Sequence, residues 1–146
     1  MRSWKNISSL YACLLINPEA NFTPSLIKER YQLLNRLYRQ IEINLEEVDQ
    51  YQYLNDAYNT LRSDLSSKDV SITDYRNALR TFFINMSNHI RGGLYQREDH
   101  LKIVALAGES LALIDQTSSI DEMINAYLSF LKEIKDNKQK NLYKKK

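Results

Sequence analysis

Hydrophobic residues recur at helical spacing in two runs between Ser25 and Asp64, on either side of a short acidic connection. Steps of four, three, four and three residues separate the members of the first run, which are Ile27, Tyr31, Leu34, Tyr38 and Ile41. The second run continues the rule with Tyr51, Leu54, Tyr58 and Leu61. Residues at these spacings share one face of an α-helix. The pattern therefore predicts an antiparallel helical hairpin, around which the rest of the chain is organised.

Proline and capping residues set the helix boundaries in the first half. Apolar positions predict a first helix over residues 7–16, which Asn17-Pro18 ends because the residue before a proline disfavours the helical conformation. Thr23-Pro24 has the form of an N-cap followed by proline at the first helical position, so the second helix begins there and runs to about residue 41. The third helix opens among acidic residues 46–49, which suit the positive end of its dipole, and closes near residue 62.

The fourth and sixth predicted helices also begin at capping sequences. Ser71 to Asp74 supplies the cap of helix four, and Gly92-Gly93 ends that helix. Ser119 to Glu122 is a capping box at the start of helix six. The apolar pattern of helix six stops after Asp136, so residues 137–146 are predicted to be a disordered basic tail.

Helix five is expected to begin at Leu94 or Arg97 and to end at Ile114. The residues predicted to be buried are Leu101, Val104, Leu111 and Ile114. Ala105, Ala107 and Gly108 are small enough to permit close approach of a neighbouring helix. No stretch shows the alternation of a β-strand, so the predicted fold is all-α with six helices in two groups of three.

Composition and charge are those of an ordinary globular protein. The chain has 146 residues, 43% of them hydrophobic and 26% charged, with only three glycines and two prolines. The net charge of +2 is unevenly placed, because the segment from Lys132 onward carries seven lysines against two acidic residues. The preceding part is therefore mildly acidic. The single cysteine, Cys13, excludes an internal disulfide, and no apolar run approaches the roughly 18 residues of a membrane span, so a cytoplasmic location is expected.

Three segments of the first half resemble the J-domain, the module by which DnaJ-type co-chaperones engage DnaK-type chaperones. Leu10-Tyr11 through Ile16-x-Pro18 resembles the first helix of that family, and Ile27-Lys28-Glu29-Arg30-Tyr31 resembles its basic second helix. The sequence from Leu54 to Leu61, LNDAYNTL, resembles the third helix and is the best of the three matches. The two-part layout is also similar to the iron–sulfur co-chaperones of the HscB type, in which a small three-helix bundle follows the J-domain.

The resemblance implies a J-like three-helix N-terminal half packed on a small C-terminal three-helix bundle. The corresponding boundaries are residues 1–64 for the J-like unit, 65–72 for a connection, 73–136 for the bundle and 137–146 for the tail. One departure bears on function. Arg39-Gln40-Ile41 follows Tyr38 where the family has His-Pro-Asp, so we expect the J-like unit to be unable to stimulate a chaperone ATPase.

The sequence offers no constellation of reactive groups. His89 and His100 lie on different predicted helices, and neither forms a spaced pair with Cys13 of the kind that closes a zinc site. No nucleophile elbow or phosphate-binding glycine pattern occurs, and the acidic residues 42–49 are expected to be solvated. We therefore expect no enzyme activity, no catalytic residues, no metal and no cofactor.

The remaining expectation is a protein–protein interaction module that acts as an adaptor, regulator or inhibitor. Helix two has a second apolar line and several basic residues, and helix four has an additional phenylalanine. The candidate partner-binding residues are Leu26, Lys28, Arg30, Leu33, Arg36, Leu37, Arg39 and Phe83. Surplus apolar surface of this kind meets another protein, either a chaperone-system component or a second copy, or else it is buried where the two halves pack together.

Two alternatives remain open on the sequence alone. The first is a small nucleic-acid-associated protein that uses helix two and the basic C-terminal residues Lys138, Lys140, Lys144, Lys145 and Lys146. The second is a viral or bacterial effector that binds a host protein. The net acidic body and the character of helix two weigh against the nucleic-acid alternative. The effector fits the same helical physics as an ordinary adaptor, so the sequence does not separate these two.

Overall fold

A computed structural model of the chain contains six α-helices within the residues that it describes, which are 7–20, 22–41, 46, 48–63, 70–92 and 97–144. Side chains are described for these residues except 91, 92, 97, 99, 100 and 138–144. The helices are α1 (Ile7–Cys13), α2 (Pro24–Ile41), α3 (Asp49–Ser63), α4 (Ile72–Gly92), α5 (Arg97–Gln116) and α6 (Ile120–Lys144). No β-strand occurs in this part of the chain, and the predicted all-α class is confirmed.

Side-chain caps begin α2, α4 and α6 where the sequence places them. The Thr23 hydroxyl accepts a hydrogen bond from the Leu26 N–H at 3.1 Å. The Ser71 hydroxyl accepts from the Asp74 N–H at 3.1 Å, and the Ser119 hydroxyl accepts from the Glu122 N–H at 3.3 Å. Each bond satisfies an N–H that the helix itself leaves without a partner.

Helix α1 ends at Cys13, three residues before the predicted end at Ile16. The Leu15 N–H bonds the Ala12 carbonyl and the Ile16 N–H bonds the Tyr11 carbonyl, both at 3.0 Å. These two bonds form a Schellman motif, which requires a left-handed residue at its centre. Leu15 occupies that position with φ of 53°, and its side chain is buried. The chain thereby turns out of the helix while Leu14, Leu15 and Ile16 stay in the core.

The left-handed backbone at Leu15 predicts that glycine is a less destabilising replacement than alanine at this position, which is the reverse of the order inside a helix. Both Leu15→Ala and Leu15→Gly remove a buried side chain, but only glycine adopts this φ without the strain of about 1–2 kcal/mol that a Cβ imposes. We expect Leu15→Gly to be about 1 kcal/mol more stable than Leu15→Ala in urea denaturation. Leu10, also buried but inside α1, is the matched control, and there alanine should be the more stable of the pair. The same order at both sites would contradict the strain argument.

The α2 and α3 helices form the predicted antiparallel hairpin. Tyr38, near the end of α2, donates a hydrogen bond to Gln50, near the start of α3. Nearer the middle of both helices, the Tyr31 hydroxyl lies 3.4 Å from the Asn55 amide oxygen, and the Tyr31 ring stacks on Tyr58 with centroids 4.5 Å apart. Residue numbers increase along α2 while they decrease along the facing part of α3, so the two helices are antiparallel.

The six helices share one hydrophobic core. Short α1 packs against α3 and α4, α2 also packs against α6, and α5 packs against α4 and α6. Arg76 of α4 holds the end of α5, because its guanidinium donates to the carbonyls of Ile114 at 3.0 Å and Thr117 at 2.5 Å. A cation at a helix C-terminus satisfies carbonyls that lack a partner within the helix.

Two sequence-based expectations for the second half are corrected. Leu101 and Val104 are 59% and 46% exposed, whereas Ile103 between them is buried. Helix α5 is apolar on almost every side, so its periodicity does not identify the inward face; Leu111 and Ile114 do face inward. Helix α6 continues to Lys144, so residues 137–144 are helical where a disordered tail was predicted. A helix can propagate through good helix formers after its apolar face ends.

Candidate functional site

The candidate partner-binding residues are divided by the fold between surface and core. Lys28, Arg36 and Arg39 are exposed on α2, and Leu26, Arg30 and Leu33 are half-buried. Leu37 and Phe83 are buried, which corrects the expectation that they contact a partner. Phe83 instead packs on Tyr127 and Phe130, with ring centroids 5.5 and 4.8 Å apart. These two apolar side chains therefore belong to the core of the protein and not to its surface.

A shallow groove of about 380 Å³ lies on the outward side of α2. Its lining residues are Leu26, Glu29, Arg30, Gln32, Leu33 and Arg36. Four of these six were candidates from the sequence, and they come together because positions 26, 29, 30, 33 and 36 fall on neighbouring lines of one helical face. Lys28 and Arg39 lie on α2 outside the groove.

Arg30 connects the groove to the turn that follows α1. Its guanidinium donates to the Leu15 carbonyl at 2.7 Å, on the residue with left-handed backbone. Partial burial lowers the pKa of Arg30, and the negative charges of Asp121 and Glu29 act in the opposite direction. The guanidinium at the tip of the side chain is therefore held by a charge-assisted hydrogen bond, and the side chain lies along the wall of the groove.

The lining of the groove combines apolar and charged side chains. Two leucines supply apolar surface and two arginines supply guanidinium groups, with Glu29 as the acidic residue among the lining side chains. The lining residues include no cysteine, serine or histidine that could act as nucleophile or base. Lys28, Arg30, Arg36 and Arg39 against Glu29 make α2 strongly basic, although the part of the chain before Lys132 is net acidic.

A buried polar cluster lies beneath the hairpin, and sequence reasoning did not find it. The Gln50 side-chain oxygen accepts hydrogen bonds from the hydroxyls of Tyr38 and Tyr127, the latter at 2.7 Å. Its amide nitrogen donates to the Cys13 carbonyl at 2.8 Å, and the Cys13 thiol lies 3.4 Å from the Gln50 carbonyl. The available signal was spacing, since Gln50 precedes Leu54, Ala57 and Leu61 by four, seven and eleven residues and so shares their buried face.

The nucleophile-bearing members of this cluster are inaccessible. Burial raises the pKa of the Cys13 thiol well above its usual range, and the charge of Asp56 adds to the rise. Because the thiolate is the reactive form, Cys13 is an inert core residue. Burial likewise raises the pKa values of Tyr38 and Tyr127. Among the described residues, no group of three or more His, Cys, Asp or Glu side chains is placed to hold a metal ion.

Comparison with protein-family models, with curated proteins and with solved structures finds no match to this chain. Within the described residues, none of the helices combines the length and the apolar character needed to cross a bilayer. The Lys138, Lys140 and Lys144 side chains, and residues Lys145 and Lys146, lie outside the described part, as do Glu47, Gly93, Leu94 and most of the predicted connection at 65–72.

Proposed function

We propose that the protein is a non-catalytic protein-binding module, an adaptor, regulator or inhibitor, whose groove on α2 holds an acidic amphipathic segment of another protein. The observation that carries this proposal is the pairing of half-buried Leu26 and Leu33 with Arg30 and Arg36 in one groove. Leucine surface favours an apolar side chain of the partner, and the two guanidiniums favour its carboxylates.

The charge distribution supports an acidic partner over a basic one. Helix α2 carries four basic residues and one acidic residue, on a body that is otherwise net acidic. A local patch of opposite sign steers an acidic segment toward α2 and away from the rest of the surface. It also disfavours basic segments, which would meet uncompensated like charge in the groove.

The half-buried state of Arg30 supports a prearranged site. Its bond to the Leu15 carbonyl removes rotamer freedom before any partner arrives, so less conformational entropy is lost when a carboxylate binds. Arg36, which is exposed, supplies the second cation from about one and two-thirds turns further along α2. The spacing matches a ligand that presents two acidic groups on either side of an apolar one.

Binding of peptides to the purified chain tests the proposal. We expect acidic amphipathic helical peptides to bind, by fluorescence anisotropy, and peptides of the same apolar pattern with lysine in place of the acidic residues not to bind. Arg36→Glu should weaken binding at least about tenfold, a change of about 1.4 kcal/mol, and Leu33→Glu should abolish it. The affinity should also fall as salt is added.

Lys28→Glu is the matched control, because it makes the same charge change on the same helix outside the groove. It should alter affinity much less than Arg36→Glu does. Equal losses from the two variants would indicate general attraction to a basic helix, and equal binding of acidic and basic peptides would contradict the proposed specificity. Circular dichroism of each variant checks that the helices remain folded.

We further propose that the first three helices are a J-like scaffold without chaperone-stimulating activity. The support is the sequence Arg39-Gln40-Ile41 after Tyr38, where the J-domain family has His-Pro-Asp. The purified chain, added to a DnaK-type chaperone, should leave its rate of ATP turnover unchanged. A clear stimulation, absent with the Arg36→Glu variant, would overturn this part of the proposal.

A further inference from the structure

The outward side of α5 is an apolar surface that no other described part of the chain covers. Leu101 and Val104 are 59% and 46% exposed on it, and Ala105, Gly108 and Ala112 are exposed between and beyond them. Positions 101, 105, 108 and 112 recur at steps of four, three and four, so they form one line along the helix. A Cβ placed on Gly108 would meet nothing within 4 Å, which confirms that this line is open.

The apolar surface continues beyond α5 onto α4. Arg80 of α4 forms an ion pair with Asp115 of α5 at 3.3 Å, which shows that these two positions lie side by side. Ile84, one turn further along α4 on the same side as Arg80, is 37% exposed. Exposed large apolar residues gathered on one face differ from the scattered ones that any soluble protein carries.

The charged residues on the edge of α5 next to α6 favour a second copy of this chain as the partner of the apolar surface. Glu98, Lys102 and Glu109 are exposed along the edge next to α6, where Lys102 donates to the Asn137 side-chain oxygen at 2.8 Å. An ammonium group has three donors, so two remain for another partner. In an antiparallel pair of α5 helices related by a twofold axis, this edge faces the same edge of the second copy.

The twofold arrangement makes this edge self-complementary. Lys102 and Glu109 are seven residues apart, so a pair centred between them sets Lys102 of each copy opposite Glu109 of the other. A parallel pair would instead set this edge against the one bearing Val104 and Asp115. Among the described side chains there, the carboxylate that Lys102 would meet is that of Asp115, which is already paired with Arg80. The small residues along the centre allow the two helices to approach closely.

We propose that α5 is the interface of a homodimer, in which two α5 helices pack antiparallel through the line from Leu101 to Ala112 with reciprocal Lys102–Glu109 ion pairs. A 20-residue helix is about 30 Å long and about 10 Å wide, so the footprint is smaller than that of stable complexes. The dimer is therefore a weak one. It uses a surface separate from the groove on α2, so Leu33→Glu should leave it intact.

Sedimentation equilibrium of the full chain, from about 10 μM to about 1 mM, tests the dimer. The mass should rise from 17.2 kDa toward twice that value as concentration increases. Ala105→Glu, which places a charge at the centre of the line, should hold the mass at 17.2 kDa throughout. Asn59→Glu, a new charge at an exposed position of α3, is the matched control and should dimerise as the wild type does.

A charge exchange tests the antiparallel register separately. Lys102→Glu and Glu109→Lys should each weaken dimerisation, by about threefold to tenfold for two exposed ion pairs, and the double variant should restore it. A wild-type chain that stays monomeric at 1 mM overturns the proposal, as does a dimer that Ala105→Glu leaves intact. A double variant no better than either single variant also overturns it.

Discussion

Replacing Gln50 with leucine should lower the free energy of unfolding by about 3–5 kcal/mol, a large part of the 5–15 kcal/mol that stabilises a typical domain. Leucine is close in size to glutamine, so the loss comes from hydrogen bonds rather than from a cavity. Tyr38 and Tyr127 lose their shared acceptor, and the Cys13 carbonyl loses a donor. Each buried group without a partner costs about 1–3 kcal/mol, and the remaining contact between the two hydroxyls, at 3.2 Å, offsets only part of it.

Urea denaturation at neutral pH measures this change. Gln40→Leu, the same substitution at an exposed position of α2, is the matched control and should shift stability by less than about 0.5 kcal/mol. If both variants lost the same small amount, the Gln50 cluster would not be the polar centre of the core. Because the cluster joins α1, α2, α3 and α6, its loss should also broaden the unfolding transition.

Alkaline pH should unfold the protein cooperatively. Burial raises the pKa values of Tyr38, Tyr75 and Tyr127, and of Cys13, above their unfolded values. A raised pKa means that the native state keeps a proton that the unfolded chain releases. The stabilisation is therefore complete below about pH 8, where all four groups are protonated in both states, and is lost as the pH rises through the unfolded pKa of the thiol and then those of the tyrosines.

The size of the effect follows from the number of groups. A proton retained only by the native state lowers stability by up to about 1.4 kcal/mol per pH unit once the pH is well above the unfolded pKa. Between pH 10 and 11 the three tyrosines, still near their unfolded pKa, and the cysteine together remove about 4 kcal/mol. Tyrosinate absorbance at 295 nm, recorded with circular dichroism, should show the buried tyrosines ionising only as helix is lost. Ionisation of every tyrosine while the helical signal remains intact would contradict this prediction.

Tyr75→Phe removes one of the buried ionisable hydroxyl groups. Its hydroxyl donates to the Ile16 carbonyl at 3.0 Å, so the variant loses about 1 kcal/mol at neutral pH. Above pH 10, however, its stability should decline less steeply than that of the wild type, by about 1.4 kcal/mol per pH unit. The two stability curves should therefore converge as the pH rises.

Sequence reasoning predicted the features that depend on local chemistry. The starts of α2, α4 and α6 follow from Thr23, Ser71 and Ser119, whose caps act within one helical turn. The hairpin of α2 and α3 follows from a strong amphipathic period on both helices. The end of α1 was wrong by three residues because a leucine at the left-handed position of a Schellman motif carries no signal comparable to glycine.

The features that depend on packing partners were harder to predict. Phe82 and Phe83 are adjacent and equally apolar, and only the position of α6 shows that Phe83 is enclosed by Tyr127 and Phe130. Leu101 and Ile103 on α5 differ little in hydrophobicity, so the sequence does not say which faces the core. The sequence identifies Leu26, Arg30, Leu33 and Arg36 as candidates, because surplus apolar and basic residues on one helix are visible without the fold; the groove that they line is a feature of the structure.

The central place of α1 constrains the order in which the chain can fold. Helix α1 is synthesised before the helices that cover it, α3 and α4, and α4 is complete only when Gly92 has been added. At roughly 5–20 residues per second, several seconds of synthesis pass before Tyr11 and Leu14 find their final surroundings. The segment from Leu10 to Ile16, which is buried in the folded molecule, thus remains exposed to solvent through much of the synthesis of the chain.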